Sequence, residues 1–179
     1  MVKAVIINGG NDKKSRVNGV HDYVEAFFNA NEVDVSSIYV HDLPAIDLIT
    51  ANYTSKDIIR TNEKVADASI VVVLTPIYKA SYSGILKTYL DLLPQKGLEN
   101  KTIIPIAVGG SIGHLLAVEY ALKPVLSVLG ATEIFNTVYV VDQQINRLEN
   151  NRFELNREIV FRLKNELQKI TTRNYSLSK

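Results

Sequence analysis

Apolar positions along this chain gather into short continuous runs, and these alternate with stretches of helical spacing. Four β-branched runs, Val2–Ile7, Ser69–Leu74, Thr102–Val108 and Phe135–Val141, predict fully buried strands, and a weaker one lies at Val33–Val40. Unbroken rather than alternating apolar runs are what a parallel sheet covered on both faces produces. Between them the spacing predicts helices over Val17–Asn29, Ser55–Ala68, Gly84–Leu93, Ile112–Leu129 and Phe153–Ile170. The last is amphipathic, with Leu155, Ile159, Leu163, Leu167 and Ile170 at helical intervals among Asn, Arg and Lys. No repeat or linker divides the chain, so one domain over residues 1–170 is expected, followed by a polar, frayed tail over 171–179.

Five strands alternating with helices, joined by right-handed crossovers, favour a doubly wound α/β sheet with helices on both faces. The expected order is 2-1-3-4-5, the flavodoxin-like arrangement. It places a ligand beyond the carboxyl ends of the strands, near the switch point between strands one and three.

Composition narrows the chemistry. No cysteine is present, which removes disulfides, thiolate nucleophiles and cysteine-held metals. The three histidines, His21, His41 and His114, show no metal-ligand spacing. With 20 Lys+Arg against 19 Asp+Glu, nothing points to nucleic acid or an anionic membrane as the main partner. No apolar stretch approaches the roughly 20 residues of a membrane span, and no cleavage site follows the first residues, so a cytoplasmic protein is expected.

Three loops at the predicted ligand end are unusual. After strand one comes Asn8-Gly9-Gly10-Asn11-Asp12-Lys13-Lys14-Ser15-Arg16-Val17-Asn18. Its glycines permit close backbone approach, and Ser15, Arg16 and Asn18 stand where a helix start favours an anion such as phosphate. A Walker A loop is excluded because Lys13, not glycine, precedes Lys14-Ser15, and G-x-G-x-x-G is absent. A polar turn with a capping serine explains this loop about as well. After strand three, Tyr78 and Tyr82 in Thr75–Gly84 can wall a flat aromatic ligand or simply cover the sheet end. After strand four, Gly109-Gly110-Ser111-Ile112-Gly113-His114 offers backbone donors to negative charge. Three such loops at one end of one sheet argue for a ligand site without naming its chemistry.

The run from Thr75 to Lys87 closely resembles the flavin-contacting segment of NADPH-dependent FMN reductases. The likeness continues through Leu92-Leu93-Pro94, Ala107–Ser111 and His114–Leu126, roughly the middle third of the chain. Within that family it is most similar to the reductase component of two-component alkanesulfonate monooxygenase systems. The resemblance implies that Ser15 and Arg16 help hold the FMN phosphate, with Gly10 part of the same cofactor site. It implies that Pro76, Ile77, Tyr78 and Lys79 line one side of the isoalloxazine, with Gly109, Gly110 and Ser111 on the other. The family pattern reads Gly-Ser-x-Arg before its Ser-Arg-Ser, whereas here Gly9 is followed by Gly10-Asn11-Asp12 and Val17 replaces the third polar residue. Asn18 is the candidate to compensate.

Pro124 lies inside a helical pattern and cannot donate to the carbonyl of Tyr120. The resemblance implies a π-bulge there, with Tyr120 at a subunit interface close to flavin; the alternative is a plain proline kink. It further implies a homodimer or homotetramer and hydride transfer from nicotinamide C4 to flavin N5 in one cleft, with no catalytic side chain required. Reduced FMN would then leave for a flavin-dependent monooxygenase. Two rivals stand: a reductase that retains FMN and serves quinones, azo dyes or metal ions, and a flavodoxin-type electron carrier. The near-neutral charge counts against the carrier, since flavodoxins tend to be strongly acidic.

Overall fold

The computed structural model describes residues 2–177; Met1 and the last two tail residues, Ser178 and Lys179, lie outside the described residues. Its central sheet is built from β1 (Lys3–Asn8), β2 (Asp34–Tyr39), β3 (Ile70–Tyr78), β5 (Thr102–Gly109) and an edge position shared by β6 (Glu133–Ile134) and β7 (Val138–Val141). The order is β2-β1-β3-β5-β6, all parallel, with β7 continuing the edge along β5. This is the flavodoxin-like arrangement expected from the sequence. A short β4 (Ser81–Tyr82) folds back antiparallel on the end of β3.

Alternate residues of each strand feed two cores. Val5, Ile7, Val71, Val73 and Ile103 face α3 (Lys56–Asp67) and α4 (Gly84–Leu90), where Ile58, Val65, Leu86 and Leu90 meet them. Ala4, Ile6, Ile70, Val72 and Ile104 face α1 (Val17–Ala30) and α6 (Arg157–Leu177), where Val24, Phe28, Ile159 and Leu163 are buried. Both faces are therefore apolar, which is why the strands read as continuous runs. Each fully buried Ile or Leu contributes roughly 1.5–3 kcal/mol against exposure.

Three predicted elements differ from those observed. The last strand is broken: residues 135–137 stand opposite only Ile104 and Pro105, a one-residue bulge beside a proline that has no N–H to give. The helix predicted over Phe153–Ile170 begins at Arg157 instead. Asn156 caps it, its Oδ1 accepting the Ile159 N–H at 2.9 Å. Its apolar stripe Ile159, Leu163, Leu167 and Ile170 is fully buried, and it runs on to Leu177 through residues expected to be frayed. Residues before the cap form a hairpin, β8 (Ile145–Arg147) and β9 (Phe153–Leu155), so Leu155 belongs to a strand rather than to the helix stripe. The helix predicted over Ile112–Leu129 is assembled from a single tight turn at Ile112–His114, a π turn at Val118–Leu122 and α5 (Lys123–Val128). That division puts Pro124 in the first turn of α5, where no N–H is required. One further helix, α2 (Ala45–Ile49), sits between β2 and α3 and has no counterpart in the predicted elements.

Candidate functional site

At the carboxyl end of β1 the last residue, Asn8, is wholly buried and organises the loop that follows. Its Oδ1 accepts the Gly10 N–H at 2.8 Å, and its Nδ2 donates to Asn18 Oδ1 at 2.9 Å and to His21 Nδ1 at 3.2 Å. Those roles fix the imidazole as the Nε2–H tautomer, donating to Ser37 Oγ at 3.0 Å, which in turn donates to Glu25 Oε1 at 2.9 Å. Burial holds the His21 pKa below its ordinary 6.5, against the opposing pull of Glu25. The neutral ring is thus the form the network needs.

The loop turns on its own side chains. Asp12 Oδ1 accepts the Lys14 N–H at 2.6 Å, and Asn18 Nδ2 donates to the Asp12 carbonyl at 3.1 Å. Gly9 donates to the Leu74 carbonyl, and its own carbonyl accepts from Ser83 Oγ at 2.7 Å. A Cβ on Gly9 would come within 2.8 Å of Leu86 Cβ, so glycine is required for the loop to lie against α4. His41 Nδ1 donates to the Gly10 carbonyl at 3.0 Å from the opposite side.

Beyond β3, Lys79 and Ala80 form the two-residue turn of the β3–β4 hairpin, both with positive φ (48° and 62°). This is the backbone of a type I′ turn made without glycine or asparagine. The Thr75 Oγ1 accepts the Ser83 N–H at 3.0 Å and ties the base of the hairpin to the sheet. Beyond β5, the buried Tyr139 donates its hydroxyl to the Ser111 carbonyl at 2.8 Å, and a Cβ on Gly109 would fall on that hydroxyl.

These loops enclose a cleft of about 450 Å³, within the roughly 300–1,000 Å³ of small-molecule sites. Of the residues proposed from sequence, Ser15, Arg16, Pro76, Ile77, Tyr78, Gly109 and Gly110 line it. The other four stand behind or beside it. The Gly10 backbone and the Asn18 side chain are committed to the buried Asn8 network, so Asn18 braces the loop instead of facing the cleft. Lys79 projects from the hairpin turn, and Ser111 caps the next turn by accepting the Gly113 N–H at 3.2 Å.

Sequence reasoning passed over Asn11, Asp12, Lys14, Asp142 and Arg147, which also line the cleft. Arg147 comes from the β8–β9 hairpin. A readable signal was present there: Asn150-Asn151, both in the left-handed region, between two short apolar-polar runs. Gly19 on α1 lets that hairpin dock, since a Cβ there would meet Phe153 Cβ at 2.5 Å.

A flat aromatic ring bearing a phosphate tail fits this arrangement. One end carries Lys14, Arg16 and Arg147. The other runs between Pro76–Tyr78 and the open backbone of Gly110, where an added Cβ would meet nothing within 4 Å. Residues 2–146 match the family model described as NADPH-dependent FMN reductase, a span that contains all three loops. The chain belongs to this family. The FMN reductase (NADPH) of Pseudomonas putida is 42% identical over 148 residues, covering 83% of this chain and 75% of that protein. The Escherichia coli FMN reductase (NADPH) is 39% identical over 144 residues, covering 80% and 75%. Among solved structures, an NADH:FMN oxidoreductase in its apo form superposes with a TM-score of 0.86 at 29% identity, over 97% of this chain and 90% of that one. The chain is therefore an oxidoreductase that uses FMN and NADPH.

The π turn presents Tyr120 at 78% exposure, and Ile112 and Leu116 in the segment before it are both 58% exposed. Glu119 pairs with Lys123 at 2.7 Å and accepts from Thr137 Oγ1, which pins the turn to the edge of the sheet. Among the described residues no helix is long and apolar enough to cross a membrane.

Proposed function

We propose that this reductase takes FMN as a substrate, reduces it with NADPH and releases reduced FMN to a flavin-dependent monooxygenase in the cytoplasm. The observation that carries the reading is the charge and exposure of the phosphate end. Lys14, Arg16 and Arg147 are solvent-exposed and share the cleft with two carboxylates, Asp12 and Asp142. An exposed, partly opposed set of cations holds a phosphate in exchange with solvent more readily than a desolvated one.

Ser15 and Arg16 engage the phosphate. Pro76, Ile77 and Tyr78 form one wall of the ring site and Gly109 and Gly110 the other, while Asn8 and Asn18 keep the loop in shape behind them. Bound there together, the flavin supplies the hydride acceptor and NADPH the donor. The chain's own task is alignment: the open backbone of Gly110 leaves room for a second planar ring, and no side chain has to move a proton. Ile112, Leu116 and Tyr120 are exposed apolar side chains, and covering them between copies would favour a homodimer or homotetramer.

The test is NADPH oxidation by flavin-stripped protein as FMN is titrated in. Saturable turnover that needs free FMN, with reduced flavin accumulating in solution, is expected. Reduction of one stoichiometric bound flavin, with turnover only on added quinone or dye, would overturn the reading in favour of an FMN-retaining reductase.

A further inference from the structure

We propose that Arg147 is a phosphate-monoester ligand of the cleft and sets its preference for phosphorylated over unphosphorylated substrates. The inference rests on the FMN reductase reading and assigns a recognition residue that lies just past the span matching the family model.

Two arginines clasp the loop and the hairpin reciprocally. Arg16, on the loop side, donates Nε to the Ile145 carbonyl of β8 at 3.3 Å. Arg147, on the hairpin, donates Nη2 to the Lys14 carbonyl of the loop at 2.7 Å. Each guanidinium is thereby anchored by one backbone carbonyl of the opposite element, with its remaining donors unspent. Arg147 is further fixed by the Phe153 ring, 5.9 Å from its Cζ to the ring centroid.

Among the described residues, neither arginine nor Lys14 takes part in an ion pair. Asp12 and Asp142 line the same cleft without forming an ion pair to these three cations, and a dianion placed between the cations lowers their mutual repulsion. A preorganised guanidinium with free N–H groups matches the oxygens of a phosphate monoester in a way that a flexible lysine does not. Lys14 and Arg16 reach the cleft from the loop, and Arg147 adds a third cation from the hairpin side, opposite the loop.

Two substrates carry this chemistry: FMN at its 5′-phosphate and NADPH at its 2′-phosphate. Binding distinguishes them. Affinities for FMN and riboflavin are measured by flavin fluorescence, and those for NADPH and NADH by nicotinamide fluorescence. The proteins compared are the wild type, Arg147→Gln, Arg147→Lys and the hairpin-tip control Arg152→Gln. Loss of one charge-assisted contact is expected to lower the preference for one phosphorylated partner about tenfold in Arg147→Gln. Arg147→Lys should recover it only in part, and Arg152→Gln should leave it unchanged. A drop in the FMN-to-riboflavin ratio places the flavin phosphate at Arg147, and a drop in the NADPH-to-NADH ratio places the nicotinamide partner's phosphate there. Both ratios unchanged in Arg147→Gln, or equal losses in Arg152→Gln, would overturn the assignment. A wild type that binds both flavins yet reduces neither would sink the reductase reading and leave this result intact.

Discussion

On its inner side the cleft rests on Asn8, His21 and Tyr139, side chains with no exposed surface and with every polar atom given a partner. Its rim is made of Lys14, of Arg16 and Arg147, each arginine bonded to one backbone carbonyl, and of a turn whose residues sit in a costly region of backbone space. The inner side fixes shape, because a buried polar group that loses its partner costs its full desolvation. The rim supplies charge in water, where each contact is weak and replaceable. A substitution that perturbs shape should therefore act on folding, and one that perturbs charge should act on affinity.

The sharpest break of that contrast is Gly109→Ala. The added methyl falls on the Tyr139 hydroxyl, so either the buried ring moves or its bond to the Ser111 carbonyl is lost. Overpacking together with one unsatisfied buried group is expected to cost about 2–4 kcal/mol in urea denaturation. In a Tyr139→Phe background the obstructing oxygen is gone, and the same change should cost clearly less. Equal losses in both backgrounds would mean that the ring does not hold this wall.

His21 sharpens the comparison through pH. Its folded pKa lies below the 6.5 of the unfolded chain, because burial disfavours the imidazolium more than Glu25 favours it. As pH falls through 6.5 the unfolded chain takes up a proton that the folded chain refuses. Stability then declines until the lowered folded value is reached, and above 6.5 this contribution is constant. Tyr39, stacked on the ring at 4.6 Å, has its own pKa pushed up to about 12 and stays neutral throughout. Asp22, raised from 3.8 mainly by burial, contributes a slope of opposite sign in the acidic range. His21→Gln cannot titrate, so the difference between the two stability profiles isolates the imidazole. Parallel profiles between the lowered value and 6.5 would remove His21 from the account.

Most of the fold was legible because a sheet covered on both faces must be written as unbroken apolar strands. The runs Val2–Ile7, Ser69–Leu74 and Thr102–Val108 all belong to such strands. What was hidden depends on contacts between distant segments. The hairpin over β8 and β9 has too few residues for periodicity to register, and its place in the cleft depends on Gly19 accepting Phe153 from 134 positions away, 153 minus 19. Asn150-Asn151 marks a turn near Arg147, but only the docked hairpin brings that arginine to Lys14. Asn18 depends on a buried partner as well. Its position after Ser15-Arg16 is that of a phosphate ligand, but its side chain is held by Asn8, a residue that reads as the first of a polar loop and is in fact the buried end of β1.

The smallest expected effect belongs to the rim. Lys79 and Ala80 adopt φ of 48° and 62°, as a type I′ turn demands, yet both carry a Cβ. Ala80→Gly removes a left-handed penalty of roughly 1–2 kcal/mol and returns some of it through the freer unfolded chain, about 0.4–1 kcal/mol. A net gain between zero and about 1.6 kcal/mol is therefore expected, read as a modest rise in melting temperature. FMN affinity should not change, because Ala80 does not line the cleft. If Ala80→Gly instead weakens FMN binding without loss of stability, the strained turn is itself holding Tyr78 against the ring. The rim would then share the shaping role that the inner side otherwise carries alone.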